Sequence, residues 1–221
     1  MTLARKNRSS HTPCSKEGEC KSSLSNNFMK TDTENYIKKT QEQPIPLELV
    51  SGVKLLKKKG LALDLGCGPG NFSKYLMDKK FTVVAIDIAK SAIRSTKEKI
   101  GESPIILIEA DLNTFPIIGK SDYNLILAWK STSFLKKGND IIKYKEIAKA
   151  LANGGVFVFS VFGKDDGWVK SGEVQGITLN KLKVIFKGFE FSSVSEKKFH
   201  KASVLGEIKN WHFIQGVARK K

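Results

Sequence analysis

The stretch LDLGCGPGNF, residues 63–72, decides the fold of this chain. It joins a short apolar run to three glycines at alternate positions, and an amphipathic segment follows. This order is typical of a strand, a tight turn and a helix. Glycine at positions Gly66, Gly68 and Gly70 permits positive φ angles and lets a ligand approach the backbone closely. The stretch therefore predicts a nucleotide-type binding turn at the carboxyl end of a strand.

Outward from this turn, apolar runs alternate with amphipathic segments along the whole chain. We predict an α/β fold: a Rossmann-like, seven-stranded, mostly parallel sheet with helices on both faces and an antiparallel last strand. The connection between the third and fourth runs is too short for a full crossover helix. The runs that predict strands are LALDL (61–65), FTVVAID (81–87), PIILIEA (104–110), YNLILAW (123–129), GGVFVFSVF (154–162), FEFSSV (189–194) and WHFIQGVA (211–218).

Composition divides the chain into a tail and one folded domain. Residues 1–34 are polar and basic without hydrophobic periodicity, so we predict a disordered tail, and residues 35–221 form the domain. His11, Cys14 and Cys20 match no common zinc spacing, so no metal site is predicted. The three cysteines make no disulfide framework. The sequence shows neither a secretory leader nor a membrane span, and we predict a cytoplasmic protein without a membrane partner.

The charge of the chain is strongly basic. Lysine and arginine total 38 against 22 acidic residues, which gives a net charge of +16. Such a charge fits a polyanionic partner such as RNA. Only four of the basic residues are arginine, however, and arginine is the side chain that base and phosphate recognition favours. Nucleic acid is therefore the less favoured partner.

The residues of the turn also distinguish between ligands. A dinucleotide fingerprint requires glycine where Asn71 stands, and Pro69 removes one backbone donor that a pyrophosphate needs. Asp64 precedes the first glycine, where its charge would repel a phosphate but attract a cation. S-adenosylmethionine carries an ammonium and a sulfonium group and no phosphate. The turn therefore favours S-adenosylmethionine as the cofactor.

The motif DLGCGPG, residues 64–70, resembles the first motif of the class I S-adenosylmethionine-dependent methyltransferases. The resemblance implies that Asp87, at the end of the second strand, accepts hydrogen bonds from both ribose hydroxyls. It implies that Asp111 binds the adenine amino group and that Trp129 lines the methyl-donor end of the pocket. The full set of cofactor-binding residues that it implies is Asp64, Gly66, Cys67, Gly68, Gly70, Asp87, Ile88, Asp111, Leu112 and Trp129.

The C-terminal half is similar to the small tellurite-resistance-type group of this class. The similarity lies in VFGKDDGW (161–168), ITLNKLKVIFKGFEF (177–191) and LGEIKNWHFIQGVARKK (205–221). In that group a histidine precedes the Trp-His pair of the last strand, and here Asn210 replaces it. The pair itself, Trp211 and His212, is present. His212 is a candidate base or acceptor-orienting residue, and a hydrogen-bonded structural role is the alternative.

The predicted reaction is methyl transfer from S-adenosylmethionine to a small molecule or a side chain. After the fourth strand stands Ala128-Trp129-Lys130-Ser131 and not the Pro-Pro motif that holds a nucleic-acid base. Two alternatives remain: a methyltransferase directed at RNA, and a module that binds the cofactor without catalysis. The sequence leaves the acceptor and the oligomeric state open.

Overall fold

The computed structural model describes residues 33–221. The predicted tail, residues 1–34, lies outside the described residues except for its last two positions, which are helical. His11, Cys14 and Cys20 also lie outside them. The helices are α1 (33–39), α2 (Leu47–Leu55), α3 (Asn71–Asp78), α4 (Lys90–Ile100), α5 (Asn139–Ala150), α6 (Gly167–Lys170) and α7 (Leu179–Ile185). The strands are β1 (Leu61–Leu65), β2 (Thr82–Asp87), β3 (Ile106–Glu109), β4 (Tyr123–Trp129), β5 (Leu151–Phe162), β6 (Phe189–Ala202) and β7 (Ile208–Lys220).

The strands form one seven-stranded sheet in the order β3-β2-β1-β4-β5-β7-β6. Strands β1 to β5 run parallel, and β7 runs antiparallel to both of its neighbours. The predicted fold class is therefore confirmed, including the missing helix between β3 and β4. The strand order reverses between β1 and β4, and at such a point a crevice opens at the carboxyl ends of the strands.

The buried strands carry apolar side chains on both faces because helices cover both. On one face, Leu63 and Phe157 pack with Tyr144 of α5 and with Phe186, which follows α7 directly. On the other face, alternate strand residues pack against α2 and α3, where Leu49 is fully buried. Burial of one such side chain stabilises the fold by about 1.5–3 kcal/mol. These two layers hold the carboxyl edge of the sheet in place.

Strands β6 and β7 are longer than the sequence indicates and contain 14 and 13 residues. Their pairing continues to Ala202 opposite Ile208, whereas the pairing of β5 with β7 ends at Phe162 opposite Phe213. The tip of the hairpin therefore projects past the carboxyl end of β5. This projection supplies one wall of the candidate site.

Candidate active site

The glycine turn has the conformation that the sequence predicts. Gly66, Gly68 and Gly70 have φ angles of 76°, 53° and 83°. A Cβ atom on Gly66 would lie 2.5 Å from Cβ of Ser131, and one on Gly70 would lie 2.9 Å from Cα of Thr96. Side chains are therefore excluded at both positions by backbone strain and by contact. The result is a bare backbone cradle between β1 and α3.

Asp87 is bonded directly to this cradle. Its Oδ2 accepts a hydrogen bond from the backbone N–H of Gly68 at 2.9 Å, and its Oδ1 accepts one from Ala89 at 2.9 Å. Burial raises the pKa of the Asp87 carboxyl, although these backbone donors act in the opposite direction. The end of β2 and the glycine turn thus form one rigid unit, with a carboxylate at its rim.

Asp64 lies beneath the turn. Its side chain is 1% exposed, and its Oδ2 accepts a hydrogen bond from Ser73 Oγ at 2.7 Å. Within the described part of the chain, its Oδ1 is buried and has no hydrogen-bond partner. Burial raises the pKa of Asp64 to about 7. A positive charge next to the turn would stabilise the ionised form of this carboxylate.

The remaining residues predicted to bind the cofactor lie along the same edge of the sheet. Asp111 follows β3, whose Glu109 pairs with Asp87, and its Oδ1 accepts hydrogen bonds from the backbone and side chain of Asn113, both at 2.8 Å. Leu112 is buried in the core, and Ile88 is 64% exposed. The structure thus brings Asp64, the glycines, Asp87 and Asp111 to one edge of the sheet, as predicted.

Cys67 is buried inside the turn and contacts Thr96 Oγ1 at 3.6 Å. Burial raises the pKa of the Cys67 thiol well above its usual range. A thiol with a raised pKa is a poor nucleophile. Cys67 is therefore a small packing residue of the turn.

Helix α1 covers the turn and is not among the elements that the sequence predicts. Burial and the nearby charge of Asp87 raise the pKa of the Tyr36 hydroxyl, and the Ile37 side chain lies over Gly68. The segment is fastened to the domain by Asn71, whose Nδ2 donates to the backbone oxygen of Thr40 at 2.8 Å. No hydrophobic period marks this helix in the sequence, so only its contacts reveal its place beside the cofactor residues.

A cavity of about 460 Å³ lies beside Trp129, the residue that the resemblance assigns to the methyl-donor end of the pocket. Its walls include Trp129 at the end of β4 and Lys130 directly after it, Phe213 and Gln215 from β7, and residues 43–48, which lead from α1 into the first turn of α2. Trp129 also packs edge-on against Phe72 of α3, with ring centroids 6.1 Å apart. The volume of the cavity is within the range of roughly 300–1,000 Å³ that is usual for small-molecule sites.

His212 does not face this cavity. Side chains alternate along a strand, so Phe213 and Gln215 face the cavity while His212 faces the opposite side of the sheet. Its Nδ1 accepts a hydrogen bond from the backbone N–H of Asp165 at 3.1 Å, and its Nε2 lies 2.6 Å from Glu196 Oε1. Both ring nitrogens are thus engaged within the fold, which favours the hydrogen-bonded structural role of His212 over its predicted role as a base or acceptor-orienting residue.

Trp168 lies in an aromatic cluster on the hairpin rather than in the cavity wall. The Lys209 ammonium lies 3.5 Å from the ring centroid of Trp168 and 4.1 Å from that of Trp211. It also forms a buried ion pair with Asp166, and Asp166 accepts the backbone N–H of His212 at 2.9 Å. These contacts fix the start of β7 to the loop after β5.

Residues 62–155 match the family model described as a methyltransferase domain. A putative methyltransferase of Bacillus subtilis is 30% identical over 108 residues, which are 48% of this chain and 44% of that protein. A malonyl-[acyl-carrier protein] O-methyltransferase of Anoxybacillus flavithermus is 31% identical over 103 residues, 46% of this chain and 38% of that protein. The chain spans less than half the length of these two relatives.

The solved structures show the same likeness over most of the chain. TehB from Haemophilus influenzae superposes with a TM-score of 0.68 and 25% identity over 86% of this chain and 67% of that one. A 1,6-didemethyltoxoflavin-N1-methyltransferase from Burkholderia thailandensis, solved with S-adenosylhomocysteine, has a TM-score of 0.64 and 15% identity over 96% of this chain and 93% of that one. The resemblance to class I methyltransferases, and to the TehB group among them, is confirmed by these matches, which include the methyltransferase-domain model over residues 62–155. Among the described residues, no helix has the length and apolar character needed to cross a membrane.

Proposed function

We propose that this chain is an S-adenosylmethionine-dependent methyltransferase that acts on a small-molecule acceptor. The observation that carries the proposal is the glycine cradle with two carboxylates. Asp64 Oδ1 lies buried and without a hydrogen-bond partner in the described residues, and Asp87 stands at the rim of the same turn. A ligand with a positive charge would stabilise the ionised Asp64 carboxylate through space, and its ribose hydroxyls could donate to Asp87, whereas a pyrophosphate would be repelled by both carboxylates.

Each residue has a role in this proposal. Asp87 accepts hydrogen bonds from the ribose hydroxyls, since a carboxylate accepts more bonds than the two that the backbone donates here. Asp64 favours a ligand that carries a positive charge. Ile88, Asp111 and Leu112 border the place for the adenine ring, next to the end of β3. When bound, the cofactor supplies a methyl group that is already activated by the positive sulfur.

The protein's part in the reaction is then alignment and exclusion of water. Trp129 stands between the cradle and the cavity, packed against Phe72, so its position is fixed. An acceptor in the cavity would lie next to the methyl-donor end. The named relatives include methyltransferases of a small heterocycle and of a malonyl group on a carrier protein. These names support a small or side-chain acceptor for this chain. We also propose that the protein acts in the cytosol, where a free thiol such as that of Cys67 remains reduced.

The test is calorimetric titration of the full chain with S-adenosylmethionine, S-adenosylhomocysteine and NAD. We expect affinity on the order of micromolar for the first two and none for NAD. A methyl-transfer screen over small molecules, carrier protein and RNA then separates the proposed reaction from its two alternatives. Tight binding of NAD with no response to the other two ligands would overturn the proposal.

A further inference from the structure

Lys130 is a half-buried cation without a counterion among the described residues. It follows β4 directly with φ of 70°, and its backbone N–H donates to the Ser160 oxygen at 2.7 Å, so its position is well defined. Its ammonium lies 5.3 Å from the ring centroid of Phe213. Among residues 33–221 no hydrogen bond or ion pair reaches this ammonium. Burial lowers the pKa of Lys130, and no carboxylate acts in the opposite direction.

The other walls of the cavity are apolar and aromatic, with an excess of positive charge. Phe199 and Phe213 come from the hairpin and Trp129 from β4. Lys197 is a second lysine of the wall and has no ion pair with any described residue. Glu48 is the acidic residue of the wall, and its Oε1 is already 3.4 Å from the hydroxyl of Ser195. The wall thus has two unpaired cations against one hydrogen-bonded carboxylate.

The Lys130 ammonium is partly withdrawn from water and has no partner in the fold, so a bound anion in the cavity would stabilise it. We propose that the cavity binds an acceptor with a flat apolar body and a carboxylate, and that Lys130 forms the ion pair with this carboxylate. The aromatic rings of the wall enclose the apolar body, and Lys130 sets its orientation toward the methyl-donor end. The inference rests on the proposed methyl transfer, because it assigns the acceptor side of the same site.

A matched pair of probes tests it. 2-Naphthoate and 2-naphthamide share the flat apolar body and differ in charge. We expect 2-naphthoate to bind the full chain about tenfold or more tightly than the amide in ligand-observed NMR titrations, as one charge-assisted hydrogen bond provides. Lys130→Met keeps the apolar stem and should bring the ratio close to one, whereas Lys130→Arg should retain the preference.

Lys137→Met is the control for the general basic charge, because Lys137 is an exposed lysine on the loop before α5. It should bind both probes as the parent does. Calorimetry with S-adenosylhomocysteine on the same samples separates the two proposals. If the full chain does not bind S-adenosylhomocysteine but still prefers 2-naphthoate to 2-naphthamide, the proposed function is contradicted and the inference about Lys130 stands. Equal binding of the two probes, binding of neither, or a preference that survives in Lys130→Met overturns the inference about Lys130.

Discussion

Asp87 and Gly68 are joined by a 2.9 Å hydrogen bond from the backbone N–H of the glycine to the carboxylate. The bond connects the end of β2 to the middle of the glycine turn of β1, two neighbouring parallel strands. One carboxylate therefore sets the shape of the cradle and, in the proposed function, also accepts hydrogen bonds from the ribose. Substitution at this residue should affect both ligand affinity and the stability of the turn.

Asp87→Asn should weaken binding of S-adenosylhomocysteine by about 1.5–3 kcal/mol, because hydrogen bonds to a charged acceptor are lost. Asp87→Ala should weaken it at least as much and also lower the melting temperature. Calorimetry and thermal unfolding measure the two effects. Glu109→Gln is the matched control, since Glu109 pairs with Asp87 in the next strand but is exposed. Unchanged affinity in Asp87→Asn would contradict the assignment.

The raised pKa of Asp64 gives the cofactor affinity a pH dependence. A ligand cation favours the ionised carboxylate, so binding lowers the pKa of Asp64 from about 7 and releases a proton. The affinity for S-adenosylmethionine should therefore rise several-fold between about pH 5.5 and 7.5, where the ligand amine stays largely protonated. Titrations in buffers of different protonation enthalpy measure the released proton. Asp64→Asn should release none, and the exposed Asp78→Asn should behave as the parent.

The same residue affects the stability of the unliganded protein. The folded pKa of about 7 lies above the ordinary value of 3.8, so the stability contributed by protonated Asp64 is present below about pH 4 and is lost as the pH rises through 7. Asp64→Asn should remove this component. Denaturant unfolding at pH 5 and pH 8, with and without the substitution, measures it. An equal loss of stability in both proteins between these pH values would show that other groups are responsible.

Two truncations test the N-terminal segment. A chain that starts at Met29 should melt within a few degrees of the full chain, because the removed residues 1–28 are polar and show no hydrophobic periodicity. A chain that starts at Gln43 lacks α1 and the backbone acceptors of Thr40 and Gln41 that bind Asn71 and Lys99. It should melt about 5 °C or more lower and bind S-adenosylhomocysteine more weakly. A large loss in the Met29 chain would show that the tail packs on the domain and would reopen a metal site at Cys14 and Cys20.

His212→Gln separates the catalytic prediction from the structural role. If His212 holds the hairpin through Asp165 and Glu196, the substitution should cost about 1–3 kcal/mol of stability and leave the affinity for S-adenosylhomocysteine within about twofold. If His212 acts as a base, turnover should fall roughly 10²–10⁴-fold in the variant. His200→Gln is the control, because His200 is exposed on the same hairpin. Parent-like stability and turnover in His212→Gln would exclude both roles.

Sequence patterns predict the sheet and the cradle because these features depend on local chemistry. Strands covered on both faces are continuous apolar runs, and the positive φ angles of the turn require glycine. Asp87 ends the second apolar run, so its position at the end of β2 is also predicted from the sequence. These features can be identified from the residues alone.

The position of α1 over the glycine turn and the length of the β6–β7 hairpin cannot be predicted in this way. Helix α1 is short and polar, and its position over Gly68 depends on contacts with α3 and α4. The hairpin extends through polar residues, so its length is set by backbone pairing rather than by an apolar run. The side of the sheet that His212 faces follows from the alternation of side chains along β7. His212 lies two residues before Ile214 and therefore faces the same side as this core residue.

The order of the strands also has a consequence for synthesis of the protein. Strand β7 follows β6 in the chain but lies between β5 and β6 in the sheet. Until the ribosome has released β7, β6 has no pairing partner. In the same interval β5, which carries residues such as Val158 and Phe159 that are buried in the finished fold, is an open edge of the sheet. An open apolar edge is a template for pairing with another chain. Translation of β7 is therefore the step that completes the wall at Phe213 and, at the same moment, protects the nascent domain from aggregation.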